Sequence, residues 1–141
     1  MGAAAATAVA ANFVWLGMVL AISFIEAPLK FRAPGVTLPI GLGIGRLVFR
    51  ALNGVEAVLA IVLLTSVVWA RFPTLAIAAA TTAVGALVVQ LLAVRPGLTR
   101  RSDAVLAGSD APRSRAHYAY VGLEVVKVGA LIVAGVALLS R

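Results

Sequence analysis

Of the five acidic residues in the chain, three are glutamates set inside apolar runs: Glu26, Glu56 and Glu124. Lys127 follows Glu124 at the spacing of about one helical turn. Arg46, Arg50 and Asn53 lead up to Glu56, and His117 and Tyr120 lead up to Glu124. In an apolar setting such groups either bind a proton, an ion or a charged solute, or pair with one another and specify how helices pack. The signs change with depth. Arg46 and Arg50 outnumber Glu26 near the ends of the apolar runs, which favours an anionic head group or carboxylate. Further in, Glu56 and Glu124 outnumber Lys127 by one, so one carboxyl holds a proton or a cation is bound there.

Other chemistries are excluded by composition. The chain has no cysteine, hence no disulfide, thiolate metal site or cysteine nucleophile, and its single histidine rules out a multi-histidine zinc or haem site. No cofactor motif and no metal site are expected. A net charge of +7 could indicate nucleic acid, but the basic residues bracket apolar segments, so membrane topology accounts for them and no nucleic-acid partner is expected.

The elements that must position these groups are membrane helices. With 62% hydrophobic residues and a mean hydropathy of +1.08, the chain has the composition of an integral membrane protein. Four stretches are long enough to cross, roughly 5 to 28, 40 to 69, 74 to 94 and 114 to 139, within a single domain spanning 1 to 141. The fold class is all-α, a four-helix membrane bundle. The N-terminal run has no positive n-region and is expected to be a retained first helix rather than a signal peptide. Pro28 and Pro34 are expected to close the first helix, Thr37 and Pro39 to open the second, and "ARFP" to turn between the second and third. "RPGLTRRSDAVLAGSDAPRS" reads as one long polar loop. Nine basic residues sit on the side of the loops around 31 to 37 and 95 to 114, and only Arg71 and Arg141 on the other. Both loops are therefore expected in the cytoplasm and both termini outside.

At about 100° per residue, Asn12, Ser23, Glu26 and Lys30 share one face of the first helix within about 60°. His117, Tyr120, Glu124 and Lys127 cover about 80° of the fourth, and Arg46, Arg50 and Asn53 about 60° of the second, with Glu56 about 60° further round. Three polar stripes thus meet in a common interior. The third helix offers Gln90, placed with Glu26, Arg46, Arg50 and His117 in the shallow third, and alanines suited to close packing. Trp15 and Trp69 read as packing or interface residues. The glycines of "GLGIG" read as helix-contact residues rather than a phosphate loop. The outer half holds only hydroxyls such as Thr7, Thr65, Ser66, Thr81 and Thr82, so a cavity entered from the cytoplasm fits better than an open pore. A shift of 68 residues superposes Gly17 on Gly85, Pro28 on Pro96, Arg32 on Arg100, Gly54 on Gly122 and Glu56 on Glu124. Either a helical hairpin has been duplicated or an alanine-rich composition has produced a coincidence.

"WLGMVLAISFIEAPLKF" with "GRLVFRAL" and "SRAHYAYVGLE" resembles the bacterial domain of unknown function 4149 and the eukaryotic transmembrane protein 205 proteins. The matching residues are Trp15, Gly17, Ala27, Pro28, Phe31, Phe49 and His117. The resemblance implies a four-helix bundle in the bacterial inner membrane. A second likeness, through "E.P", is to the anthrone-oxygenase-like four-helix membrane proteins and implies an enzyme. Acidic Glu56 and Glu124 at depth depart from the first pattern. Three functions fit: an oligomeric transporter or channel-like protein for an ion or small anionic solute, an accessory subunit docking on a membrane-protein partner, and an intramembrane enzyme acting on a lipid or aromatic metabolite. Membrane lipids are expected to surround the chain in each case.

Overall fold

A computed structural model describes residues 1–108 and 115–141. The last part of the expected polar loop, with the basic residue Arg113, lies outside the described residues. Four helices are long and apolar enough to cross a membrane: α1 (Ala3–Lys30), α2 (Leu38–Trp69), α3 (Thr74–Leu106) and α4 (Arg115–Leu139). The protein is a multi-pass membrane protein, since only in oil does so apolar a surface have a favourable neighbour. Consecutive helices run antiparallel around a ring in which α1 packs on α2 and α4, and α3 packs on α2 and α4. Both termini and the turn Ala70–Pro73 share one end, called here the terminal end. The opposite end is the loop end.

The expected boundaries of α2 are close to those observed. Thr37 caps it, its Oγ1 accepting the Ile40 N–H at 3.4 Å, with Pro39 in the first turn, where a missing N–H costs nothing. At its far end Arg71 takes a left-handed backbone (φ 54°) and lets the chain reverse into α3.

Two expectations are corrected. Pro28 does not close α1, which continues to Lys30, and Pro96 does not begin a loop, because Arg95–Leu106 is helical. In both helices the residues ahead of the proline are wound as π-helix, Leu20–Glu26 in α1 and Gln90–Val94 in α3. A proline ring has no N–H to give and crowds the carbonyl one turn back; a wider turn ahead of it relieves the clash and the helix goes on. The two π segments end at Glu26 and Val94, in register with the 68-residue shift that relates Pro28 to Pro96. The ring order is also the one that a two-fold axis along the bundle requires.

Packing is concentrated toward the terminal end. Alanines such as Ala8, Ala76, Ala80 and Ala83 are fully buried between larger residues such as Leu63, Val67 and Leu131. Small side chains let backbones approach and maximise dispersion contacts, which drive helix association in lipid. At Gly135 the approach is so close that an added Cβ would stand 2.6 Å from the Phe13 ring. Hydroxyls at this end make no path through it: Thr7, Thr81 and Thr82 each donate to the carbonyl four residues back at 2.7–2.8 Å. Toward the loop end the bundle loosens. No residue of Leu20–Lys30 is buried, and this part of α1 makes no extended backbone packing against another helix.

Candidate functional site

Where the tight half meets the loose half, three charged side chains come together out of contact with solvent. Lys127 Nζ lies 2.5 Å from Glu56 Oε2 and 2.6 Å from Glu124 Oε1, and it donates to Gln90 Oε1 at 2.8 Å. An ammonium has three protons, and all three are directed at acceptors. Each residue is at most 2% exposed, so water screens none of these contacts.

A second layer holds the carboxylates. Trp15 Nε1 donates to Glu56 Oε2 at 2.7 Å. Ser23 Oγ donates to Glu124 Oε2 at 2.5 Å, a length typical of charge-assisted O–H···O contacts. Gln90 Nε2 donates to Glu124 Oε1 at 3.0 Å and to the Tyr120 carbonyl at 3.2 Å. Ser23 lies within one π segment and Gln90 opens the other, so both irregular turns deliver a side chain to Glu124. Glu56 Oε1 is buried without a hydrogen-bond partner. The two glutamates, related by the 68-residue shift, face one lysine that has no counterpart in the first hairpin, where Leu59 stands.

Beside this cluster and toward the loop end lies a cavity of about 930 Å³ to which all four helices contribute. Glu124, Asn53 and Tyr120 line its inner part, and Tyr120 donates its hydroxyl to Asn53 Oδ1 at 3.4 Å. Glu56 is not part of the wall, so Glu124 is the carboxylate the cavity reaches. Basic groups surround the space: Lys30, Arg46, Arg50, Arg95, Arg101 and His117. Between them the wall is apolar, with Phe24, Leu42, Phe49, Leu91 and Leu98. Such a space attracts an anion and gives hydrocarbon a place to lie.

The residues expected to act together divide into two groups. Glu56, Glu124 and Lys127 form the cluster, and Asn53, Tyr120, Arg46, Arg50 and His117 line the cavity next to it. Glu26 joins neither. It lies 3.9 Å from Lys30, one turn away on its own helix, while Arg46 pairs with Asp103 on the helical extension of α3. Gln90, expected in the shallow tier, belongs to the deep cluster. Because α3 runs on to Leu106, Gln90 lies midway along it rather than near its end. Trp15, which reads as a packing or interface residue, is a hydrogen-bond donor to the site. The signal was there: at about 100° per residue it falls about 20° from Glu26, on the polar stripe of the first helix. Arg95 and Ser102 escaped notice because their segment read as loop. Two of the three "GLGIG" glycines do mark contacts, Gly41 against the Phe31 ring and Gly45 against Lys30.

Compared with known proteins, the chain matches no family model, no curated protein and no solved structure.

Proposed function

We propose that this chain is a small transport protein of the bacterial inner membrane whose cavity opens to the cytoplasm and takes an anionic solute together with a proton or cation. The observation that carries this reading is a basic cavity closed at its inner side by a buried cluster with two carboxylates and one ammonium, beyond which alanines, leucines and valines pack closely. The excess of nine basic residues over two assigns the loop end to the cytoplasm. An anion drawn in by Arg50 and Arg95 meets Glu124 at the inner wall, and a proton or cation taken up with it balances its charge. Solute and proton are thereby coupled. Ser23 and Gln90 hold the carboxylate in place, while Glu56 keeps Lys127 paired whichever state Glu124 is in.

The likeness to the domain of unknown function 4149 supports the architecture in this reading and adds no activity. We also read the two hairpins as a duplication, supported by the matched π segments and the ring order. A second reading, in which the cluster only specifies packing, is favoured by the complete pairing of Lys127, and Glu124→Gln separates the two.

The chain has no cysteine, so single cysteines report accessibility directly. In the absence of solute, Asn53→Cys should react with an impermeant maleimide in inverted membrane vesicles and not in intact cells, while Ala83→Cys should react in neither. Labelling of Asn53→Cys in intact cells alone would overturn the cytoplasmic opening.

A further inference from the structure

Resting on the transport reading, we infer that the solute is an amphiphilic organic anion, a carboxylate or phosphate head on a hydrocarbon body, which reaches the cavity sideways from the membrane. Three observations support this class over a small hydrophilic anion. The first is the wall. Phe24, Phe49, Leu42, Leu91 and Leu98 present hydrocarbon and ring faces that an inorganic ion would leave unused and that an apolar body covers.

The second is the opening. Phe24 on α1, Phe31 just past its end, Leu47 on α2 and Val121 on α4 line the cavity and are also exposed on the outside of the bundle, Leu47 by 70%. These residues flank the part of α1 that makes no extended backbone packing against another helix. The gap therefore faces the hydrocarbon of the bilayer, where a free hydrophilic ion does not travel and an amphiphile does.

The third is the set of head-group partners. Arg50 and Arg95 line the cavity and form no ion pair among the described residues, unlike Arg46, which is held by Asp103. Ser102, also in the wall, is 8% exposed and its Oγ has no hydrogen-bond partner among the described residues. A buried hydroxyl without a partner is uncommon in a folded protein and suits an oxyanion that accepts its proton. With the head against Arg50, Arg95 and Ser102, the body lies along Phe24, Phe49 and Leu91.

The test uses purified full-length protein in nanodiscs of zwitterionic phosphatidylcholine, with equilibrium binding of three probes: octyl phosphate, inorganic phosphate and octyl glucoside. Head and body together are expected to bind at least ten-fold more tightly than head alone or body alone. Arg50→Gln with Arg95→Gln should weaken octyl phosphate at least ten-fold and leave octyl glucoside unchanged, and Arg32→Gln, outside the cavity wall, should change neither. If the double glutamine variant does not fold, Ser102→Ala should still weaken octyl phosphate several-fold. Equal binding of inorganic phosphate and octyl phosphate overturns the amphiphile class and leaves anion transport standing. Equal binding of octyl glucoside and octyl phosphate overturns the head-group assignment. No binding of any probe overturns both the class and the transport reading on which it rests.

Discussion

The terminal half and the loop half of this bundle are made of the same four helices and behave as different materials. Toward the termini, alanines fill the seams, α1 and α4 touch at Gly135, and Thr7, Thr81 and Thr82 are bonded to their own helices. Toward the loops, α1 makes no extended backbone packing against another helix, two π segments widen the helices, and arginines and aromatic rings line a cavity. The difference shows how four helices leave a cavity at one end of a bundle without a fifth element. Small residues close one half by packing, and prolines with π turns keep the other from closing. The Glu56–Lys127–Glu124 cluster lies at the boundary, sealed on one side and reached on the other only at Glu124.

Breaking the boundary should have the largest effect. Lys127→Met leaves two carboxylates facing each other without a counter-charge and should destabilise by about 3–5 kcal/mol, read as a lower melting temperature in detergent. Adding Glu56→Gln and Glu124→Gln to that variant should recover most of the loss, because a neutral cluster needs no counter-ion. If the triple variant stays as unstable as the single one, the loss reflects side-chain shape rather than charge.

Next, Trp15→Phe keeps one aromatic ring and removes both the donor to Glu56 and part of the buried indole, for an expected loss of about 2–4 kcal/mol in thermal or denaturant unfolding. The two halves should respond oppositely to added volume. Ala83 is fully buried in the terminal half, so Ala83→Leu should cost about 1–3 kcal/mol. Val121→Leu beside the cavity, at a position 42% exposed, should stay within about 0.5 kcal/mol. Equal losses at the two positions would erase the contrast. Smallest is Asp103→Asn, which breaks an exposed pair with Arg46 and should change stability by less than about 1 kcal/mol.

Much of the terminal half was legible in the sequence, because apolar length fixes the spans and alanine spacing marks the seams. The cluster was legible too, since Glu56, Glu124 and Lys127 are expensive in oil and sit where helical spacing turns them inward. The loop half was harder to read for one reason. A proline is read as a helix stop, and here the π turns ahead of Pro28 and Pro96 absorb it. From that single error followed the misplaced depth of Gln90, the missing extension of α3, and the unnoticed roles of Asp103, Arg95 and Ser102. Trp15 was missed differently: a tryptophan in a span satisfies a packing explanation so well that its N–H was not assigned a partner.

Glu124 is the carboxylate common to the cluster and the cavity wall. Glu124→Gln is nearly isosteric, keeps the positions that Ser23, Gln90 and Lys127 contact, and leaves Glu56 to balance Lys127. Melting temperature and proton uptake into proteoliposomes carrying a trapped pH dye, under an imposed membrane potential with octyl phosphate or inorganic phosphate as solute, should be measured on the same preparation. The account predicts a folded protein whose solute-dependent uptake falls to less than about a tenth of that of the unaltered chain, as loss of a tenfold or greater proton-transfer step implies. Unchanged uptake in a folded Glu124→Gln protein would contradict it and leave the cluster as a packing device.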